Sequence, residues 1–411
     1  MQQMDKEKLL NESKTFCMFP WVHMNVTPLG NVYPCCSSDY TAPFDNIKGK
    51  SLKEVFNGDK IRQLRLDMLA GKKSSICDYC YKHEETSPFS FRKYSIEHFG
   101  KDFDEVVTTT QSDGTVPEFK MKYFDVRFSN ICNFKCRTCG SEFSSQWAQE
   151  MKQHDWTPPD YRIIQHADST GALLEEIKSQ VCHMDLAYFA GGEPLITDEH
   201  YVILEEMIRT GANKRITLRY NTNMSNFKYK KYDIMNMWSK FKRVEISASL
   251  DHYGERAEYL RHGTDWGVVE QNLKSIRDVD YIDFQFNTVL SAFNYATMDE
   301  FLFYMIENCL LRQKDMISIY RALTPTYYCS KILPSSIKKV GSDKLKKVYD
   351  FMITNDWYQG VHVNDAINFT NEEDQWNEYK TDFQHHVKRR DEIRNESFVS
   401  VFPELKEMLD A

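Results

Sequence analysis

The chain has 411 residues, 41% of them apolar and 14% aromatic, and its 52 basic and 60 acidic side chains leave a net charge of −8. That length suits one α/β domain of barrel size plus a smaller unit, and the acidic balance favours solubility and gives no general drive toward nucleic acid. No run approaches the roughly 18 apolar residues of a membrane span, and the charged opening MQQMDKEKLLNESK does not read as a secretory signal. The 11 cysteines, odd in number and in metal-like spacings, point to a reducing, cytoplasmic setting rather than a disulfide framework.

Residues 1–90 form a unit with its own thiols. The run from Phe16 to Trp21 leads into VHMNV, a turn containing Gly30, and VYPCC, a pattern that predicts a β-hairpin. Antiparallel pairing brings Cys17 and either Cys35 or Cys36 to one end of it. SLKEVFN and DKIRQLRLDMLAG predict helices, with Gly71 as the stop, and Cys77-Asp-Tyr-Cys80 follows. Four thiols are thereby expected to converge, a number that structural zinc also uses.

Residues 91–120 are polar and end rich in Gly, Pro, Ser and Asp, which predicts a linker. From 121 to 354 strands alternate with helices. Strand patterns fall at 122–130, 184–190, 215–222, 243–250, 282–291 and 316–322, and helical ones at 143–153, 171–180, 198–210, 231–240, 266–278, 298–310 and 342–354. Residues 154–170 read as an inserted surface loop. Six βα units require a parallel sheet with right-handed crossovers. Residues 355–411 predict a helical extension that closes on SFVSVFPELKEML, an amphipathic element docking onto the barrel. His385 and His386, adjacent on a helix, point about 100° apart and lack a matching cluster for a metal. Cys182, Cys309 and Cys329 read as ordinary buried thiols.

The informative stretch is Cys132-Asn-Phe-Lys-Cys136-Arg-Thr-Cys139, spaced CxxxCxxC directly after the first strand of the alternating region. Extended, it could span about 24 Å, so three sulfurs meeting one metal centre need it curled into a loop. Three local thiolates leave one corner of a four-iron cluster without a protein ligand, unlike ferredoxin runs or the paired CxxC of a zinc ribbon. In this stretch the chain resembles the radical S-adenosylmethionine (SAM) enzymes. The resemblance implies a partial (β/α)6 barrel, a 4Fe-4S cluster on Cys132, Cys136 and Cys139, and SAM on the open iron. Reductive cleavage of SAM would then yield a 5′-deoxyadenosyl radical that takes a hydrogen atom from the substrate.

Supporting motifs are expected where strands end. Gly191-Gly192-Glu193-Pro194 matches the family's GGEP, which implies contact with the amino group of SAM. The strand end Tyr220-Asn221-Thr222-Asn223 resembles the family's TN pattern and implicates Asn223. Ser247-Ala-Ser249-Leu-Asp251 matches S-x-D, with Ser249 or Ser247 toward the ribose or carboxylate. Arg261 has the fork geometry to pair with the SAM carboxylate, and Asn287 and Asn294 are candidates to line a substrate cavity. Thr138 stands where many members carry an aromatic residue beside adenine.

The order Cys17, Gly30, Cys35, Cys77-x-x-Cys80 resembles the auxiliary modules called twitch and SPASM, the twitch form more closely because no further cysteine appears before Cys132. This implies an α+β module binding a second 4Fe-4S cluster through Cys17, Cys35, Cys77 and Cys80, with Cys36 as the alternate. Here the module precedes the radical domain, whereas such modules usually follow it. The expected function is a net oxidation, by crosslinking or dehydrogenation, of a peptide or amino acid, supplied with electrons by a flavodoxin or ferredoxin. The alternatives are dehydrogenation of a small alcohol or sugar, and a noncatalytic zinc-stabilised interaction protein.

Overall fold

A computed structural model describes residues 5–85, 87–154 and 171–410. All but His154 of the expected surface loop at 154–170 therefore lies outside the described residues. The described chain divides into two compact units, with crossings after Ile131, inside the strand at Arg219–Tyr220 and on either side of Asn236–Lys242. The fold is α/β, and no described helix is long and apolar enough to cross a membrane.

In the first unit the N-terminal hairpin is formed by β1 (His23–Val26) and β2 (Asn31–Tyr33), which pair antiparallel, and β3 (Asp45–Asn46) adds to β2. The hairpin is not a separate lobe. β1 runs parallel to β4 (Tyr123–Val126) with His23 opposite Tyr123 and Val26 opposite Val126, and β4 pairs with β6 (Leu186–Phe189). All four residues of β1 are buried, as are all four of β4, as expected for strands covered on both faces. The pairing supplies the docking geometry of a module that precedes the alternating region.

The two predicted helices form at Leu52–Phe56, entered through a Ser51/Glu54 capping box, and Asp59–Leu69. Residues 91–120 are not a bare connector. Phe91–Phe99 and Phe103–Val106 are helices, and Ser95, Phe99 and Phe103 are buried; their apolar spacing is diluted by the surrounding charge, which is why composition alone suggests a linker. Arg65, fully buried, ties this region together. It donates to the carbonyls of Pro20 (2.8 Å), Phe56 (2.7 Å) and Gly114 (3.1 Å) and to Asn57 Oδ1 (3.0 Å).

The two-residue strand β5 (Lys135–Cys136) opens the second unit. β7 (Thr217–Thr222) begins in the first unit and ends in the second. A small hairpin, β8 (Lys228–Tyr229) with β9 (Tyr232–Asp233), follows. β10 (Arg243–Ser249) is succeeded by β11 (Arg261–His262), β12 (Ile282–Leu290) and β13 (Met316–Arg321). β10, β12 and β13 pair in parallel, with Ser249 opposite Asn287 and Asn287 opposite Ser318. Helices at Gly254–Leu260, Trp266–Ile276, Met298–Glu307 and Ser335–Thr354 intervene or follow, so the βα alternation continues.

Helices Gly360–Asn371 and Trp376–Arg394 continue the second unit. The closing Phe398 and Phe402 are buried against Tyr259, Phe293 and Phe383, at ring separations of 5.5–6.3 Å. Cys329 is buried as expected, but Cys182 and Cys309 are exposed. Cys182 sits in a short turn that points only Val181 inward, and Cys309 adopts φ +56 just past a helix end, turned away from the apolar stripe.

Arg65→Ala leaves several buried carbonyls without a donor, at roughly 1–3 kcal/mol for each such group. Urea denaturation should show a loss of about 3 kcal/mol for this variant; a change within the ordinary surface range of about 0.5 kcal/mol would refute the role given to Arg65.

Candidate functional site

The CxxxCxxC segment is curled by its own backbone. The Phe134 N–H approaches Cys132 Sγ at 3.4 Å, and the Cys139 N–H donates to Cys136 O at 3.1 Å. The Cys132 N–H donates to Ser145 Oγ (3.2 Å) at the start of helix Ser145–Gln153. β5 pairs antiparallel with β11, setting Cys136 opposite Arg261, and Trp147 Nε1 donates to Cys136 O at 2.7 Å. This approach demands glycine at 263. Its φ is +108, and a Cβ there would lie 2.8 Å from Asn133 O and 3.0 Å from the Phe134 ring.

Burial pushes the Cys139 thiol up to about 12, with the neighbouring Cys136 adding to it, and raises Cys136 against the lowering effect of Arg261. As free thiols these groups hold their protons, and a metal or cluster binding here releases them.

The expected SAM-contacting residues divide into two kinds. Gly191 and Gly192 serve backbone approach in the first unit. A Cβ on Gly192 would fall 2.0 Å from Ile131 O, and the Glu193 N–H donates to that same oxygen at 2.7 Å. The GGEP turn is thus fastened to the residue just before Cys132. Glu193 is 2% exposed and accepts from the Leu195 N–H at 3.1 Å, while Pro194 begins the turn Pro194–Ile196. Asn223 accepts from the Ser225 N–H and hydroxyl and donates to Asn133 Oδ1 at 2.9 Å, and Asn133 Nδ2 donates to Ser225 Oγ at 2.9 Å. The end of β7 is thereby linked to the cysteine loop through Asn133, a residue that the motif reading passed over although it stands directly after Cys132.

Most of the other candidate residues have partners within the protein. Arg261 is committed to Asp251 (2.8 Å) and reaches Cys136 Sγ at 3.8 Å, so its nearest partners belong to the protein itself. Asp251 of the S-x-D motif also accepts from the Val289 N–H at 2.7 Å and acts as a brace. Ser247 is buried and bonded to Gln285, whereas Ser249 is half-buried. Asn294 spends its amide on Asp251 O, Val289 O, Ser291 N–H and Ser291 Oγ and shapes a turn. Asn287, by contrast, has a buried Oδ1 with no hydrogen-bond partner among the described residues. Tyr327 stacks on His386 at 4.1 Å.

In the first unit Cys17, Cys35, Cys77 and Cys80 line one cavity, walled by Phe19, Met68, Ile76 and Phe91. Burial raises all four thiols, Cys17 to about 11 and Cys35 to about 12. Ser95 Oγ lies 3.1 Å from Cys17 Sγ, and Ser38 Oγ 3.4 Å from Cys35 Sγ. Arg92, paired with Glu84 at 2.6 Å, completes the lining. Cys36 does not line the cavity and faces the charges of Asp125 and Arg127. Among the described residues no three His, Cys, Asp or Glu side chains close to the geometry of a single metal ion.

Residues 17–81 match the model of SPASM, an iron-sulfur cluster-binding domain. The N-terminal module is SPASM-like. The match spans all four cavity thiols and is to SPASM where the spacing suggests the shorter twitch form. Solved structures similar to the chain include anSMEcpe with bound AdoMet, at 18% identity and a TM-score of 0.40 over 57% of this chain and 61% of that one. Another is anSMEcpe with bound AdoMet and a Cp18Cys peptide, at 18% identity and a TM-score of 0.35 over 57% and 60%. A third is Streptococcus suis SuiB bound to precursor peptide SuiA, at 14% identity and a TM-score of 0.36 over 72% and 64%. The chain thus spans about three fifths of the length of the structures it matches. No curated protein matches it.

Two substitutions test this geometry. Cys35→Ser should abolish iron loading of the SPASM-like module while Cys36→Ser retains it; equal iron content in the two variants would contradict the assignment of Cys35. Gly192→Ala forces Ile131 aside and should cost about 1–3 kcal/mol, the usual range for overpacking, read by urea denaturation; an unchanged midpoint would show that the turn does not press on Ile131.

Proposed function

We propose that the protein is a radical SAM enzyme, with a cluster on Cys132, Cys136 and Cys139 in a partial (β/α)6 barrel and a second cluster on Cys17, Cys35, Cys77 and Cys80. The observation that carries this reading is the curled loop bearing three thiols, all of its protein donors local, braced by Ser145, Trp147 and β11. Such a loop offers three ligands to a four-iron cluster and leaves one iron for a small molecule. The bound cluster and SAM would supply the electron transfer and the 5′-deoxyadenosyl radical.

The protein's own part is placement. Gly191 and Gly192 bring the GGEP backbone against Ile131, and by the family resemblance Glu193 and Pro194 are assigned to the SAM amino group. Asn223 fixes the loop through Asn133, and Ser249, half-buried at a strand end, is better placed than the occupied Ser247 to meet a nucleoside. Arg261 keeps positive charge beside Cys136. Asn287, with its unmet buried oxygen, is the polar side chain assigned to substrate or nucleoside; a buried polar atom without a partner is costly unless something satisfies it.

A fully thiol-ligated auxiliary cluster suits a net oxidation, because it can take the electron released when the substrate radical collapses, and iron–sulfur potentials range over about −700 to +450 mV. The substrate we assign is a peptide or amino acid, the class the SPASM resemblance suggests, with a flavodoxin or ferredoxin as electron donor and the cytoplasm as location. A zinc-stabilised interaction module remains the alternative from another class.

Anaerobic iron and sulfide analysis separates the two readings. About eight irons per chain are expected for two four-iron clusters, while stoichiometric zinc would support the interaction module. Reduced wild-type protein should also release 5′-deoxyadenosine from SAM, and the C132A/C136A/C139A variant should not. Equal yields from the two would overturn the catalytic assignment.

A further inference from the structure

Both basic side chains that flank Cys136 are held by carboxylates, and two of those carboxylates lie at the far end of the sequence. Arg137, 1% exposed, donates through Nη2 to Asp391 Oδ1 (2.7 Å) and Glu396 Oε2 (2.5 Å) and through Nε to Tyr259 O (3.1 Å). Its guanidinium lies 3.6 Å over the Tyr259 ring. The carboxylates are themselves fixed. Asp391 accepts from the Tyr259 hydroxyl (2.8 Å) and the Phe398 N–H (2.6 Å), and Glu396 pairs with His262 Nδ1 (2.6 Å). His262 is the register partner of Lys135. Asn395, left-handed at φ +51, ends helix Trp376–Arg394 and turns the chain so that Glu396 comes back toward the loop. On the other side of Cys136, Lys135 meets Glu150 at 2.5 Å, and Arg394 grips the same carboxylate at 3.0 Å. Burial would raise Glu150, but Arg394 and Lys135 hold it down at about 2.

We propose that the C-terminal helix Trp376–Arg394 with Glu396 is a clamp on the cysteine loop, and that Arg137 is the positioning residue through which it acts. The inference rests on the reading of Cys132, Cys136 and Cys139 as cluster ligands. A buried arginine between two carboxylates contributes little net stability compared with an apolar core, whereas its planar fork and stacked ring fix direction. The direction fixed here is that of the peptide joining Cys136 to Cys139, so the clamp sets where two of the three sulfurs stand.

The test uses full-length protein loaded with iron and sulfide without oxygen, with the auxiliary site as internal control and the C132A/C136A/C139A protein identifying the auxiliary iron pool. Iron release to a chelator is followed for wild type, Arg137→Ala, Arg137→Lys and D391N/E396Q. Partners that orient metal ligands typically carry 10–100-fold of affinity, so Arg137→Ala and D391N/E396Q should lose loop iron about tenfold faster or more, with auxiliary iron unchanged. Arg137→Lys, which keeps the charge without the fork, should fall between. Wild-type release rates in the folded variants, or equal acceleration at both sites, would overturn the clamp. If Arg137→Ala fails to fold, D391N/E396Q decides on the same criteria. Wild-type protein that loads no iron on the loop would overturn the cluster reading and the clamp with it.

Discussion

The antiparallel contact between Cys136 and Arg261 is the constraint on which the second unit's site depends. It converts a seven-step segment that could stretch about 24 Å into a bend whose backbone is bonded on both sides, by the Cys139 N–H within and by Trp147 and Leu260 outside. Gly263, where a Cβ would press on Asn133 O and the Phe134 ring, lets the chain approach the loop, and Asp251 pairs with the Arg261 guanidinium. Charge at the bend is settled locally. Lys135, Arg137 and Arg261 each have a carboxylate partner, so the thiols lie in a lattice of paired ions rather than beside free cations.

The first unit is built on a different device. Its hairpin adds a strand to β4, so the thiols of the SPASM-like module are carried by the same sheet edge that leads toward Cys132 in sequence. Asn25 and Asp125, opposite one another in that register, are joined by a 2.6 Å hydrogen bond, and Tyr40 donates to Asn25. A module placed before the alternating region can dock this way because β1 and β4 are extended, buried and parallel. No long connection is required between them other than residues 34–122, which supply the helices and three of the four cavity thiols.

Much of this was legible in the residues. Thiol spacing singled out both candidate sites, and periodicity located all six strands of the alternating region, because buried parallel strands and their helices carry strong apolar patterns. What sequence did not reveal were the partners. Asn133, Gly263, Arg137 and Glu396 carry no motif signal, since their roles come from tertiary approach between segments as much as 259 residues apart. Arg261 and Asp251 were visible as motif residues, yet their partners are each other and the loop. The helices within 91–106 were obscured because a short amphipathic helix in a charged stretch has the composition of a linker. The choice between Cys35 and Cys36 needed the turn after β2, which sends Cys35 into the cavity and Cys36 toward Asp125 and Arg127.

The most direct measurement is the electron paramagnetic resonance spectrum of reduced, oxygen-free protein recorded before and after SAM is added, with the C17A/C35A/C77A/C80A variant isolating the loop cluster. The account predicts a changed spectrum for that variant on addition of SAM, because one iron of the loop cluster has no protein ligand. A spectrum from a loaded loop cluster that stays the same at saturating SAM would contradict it.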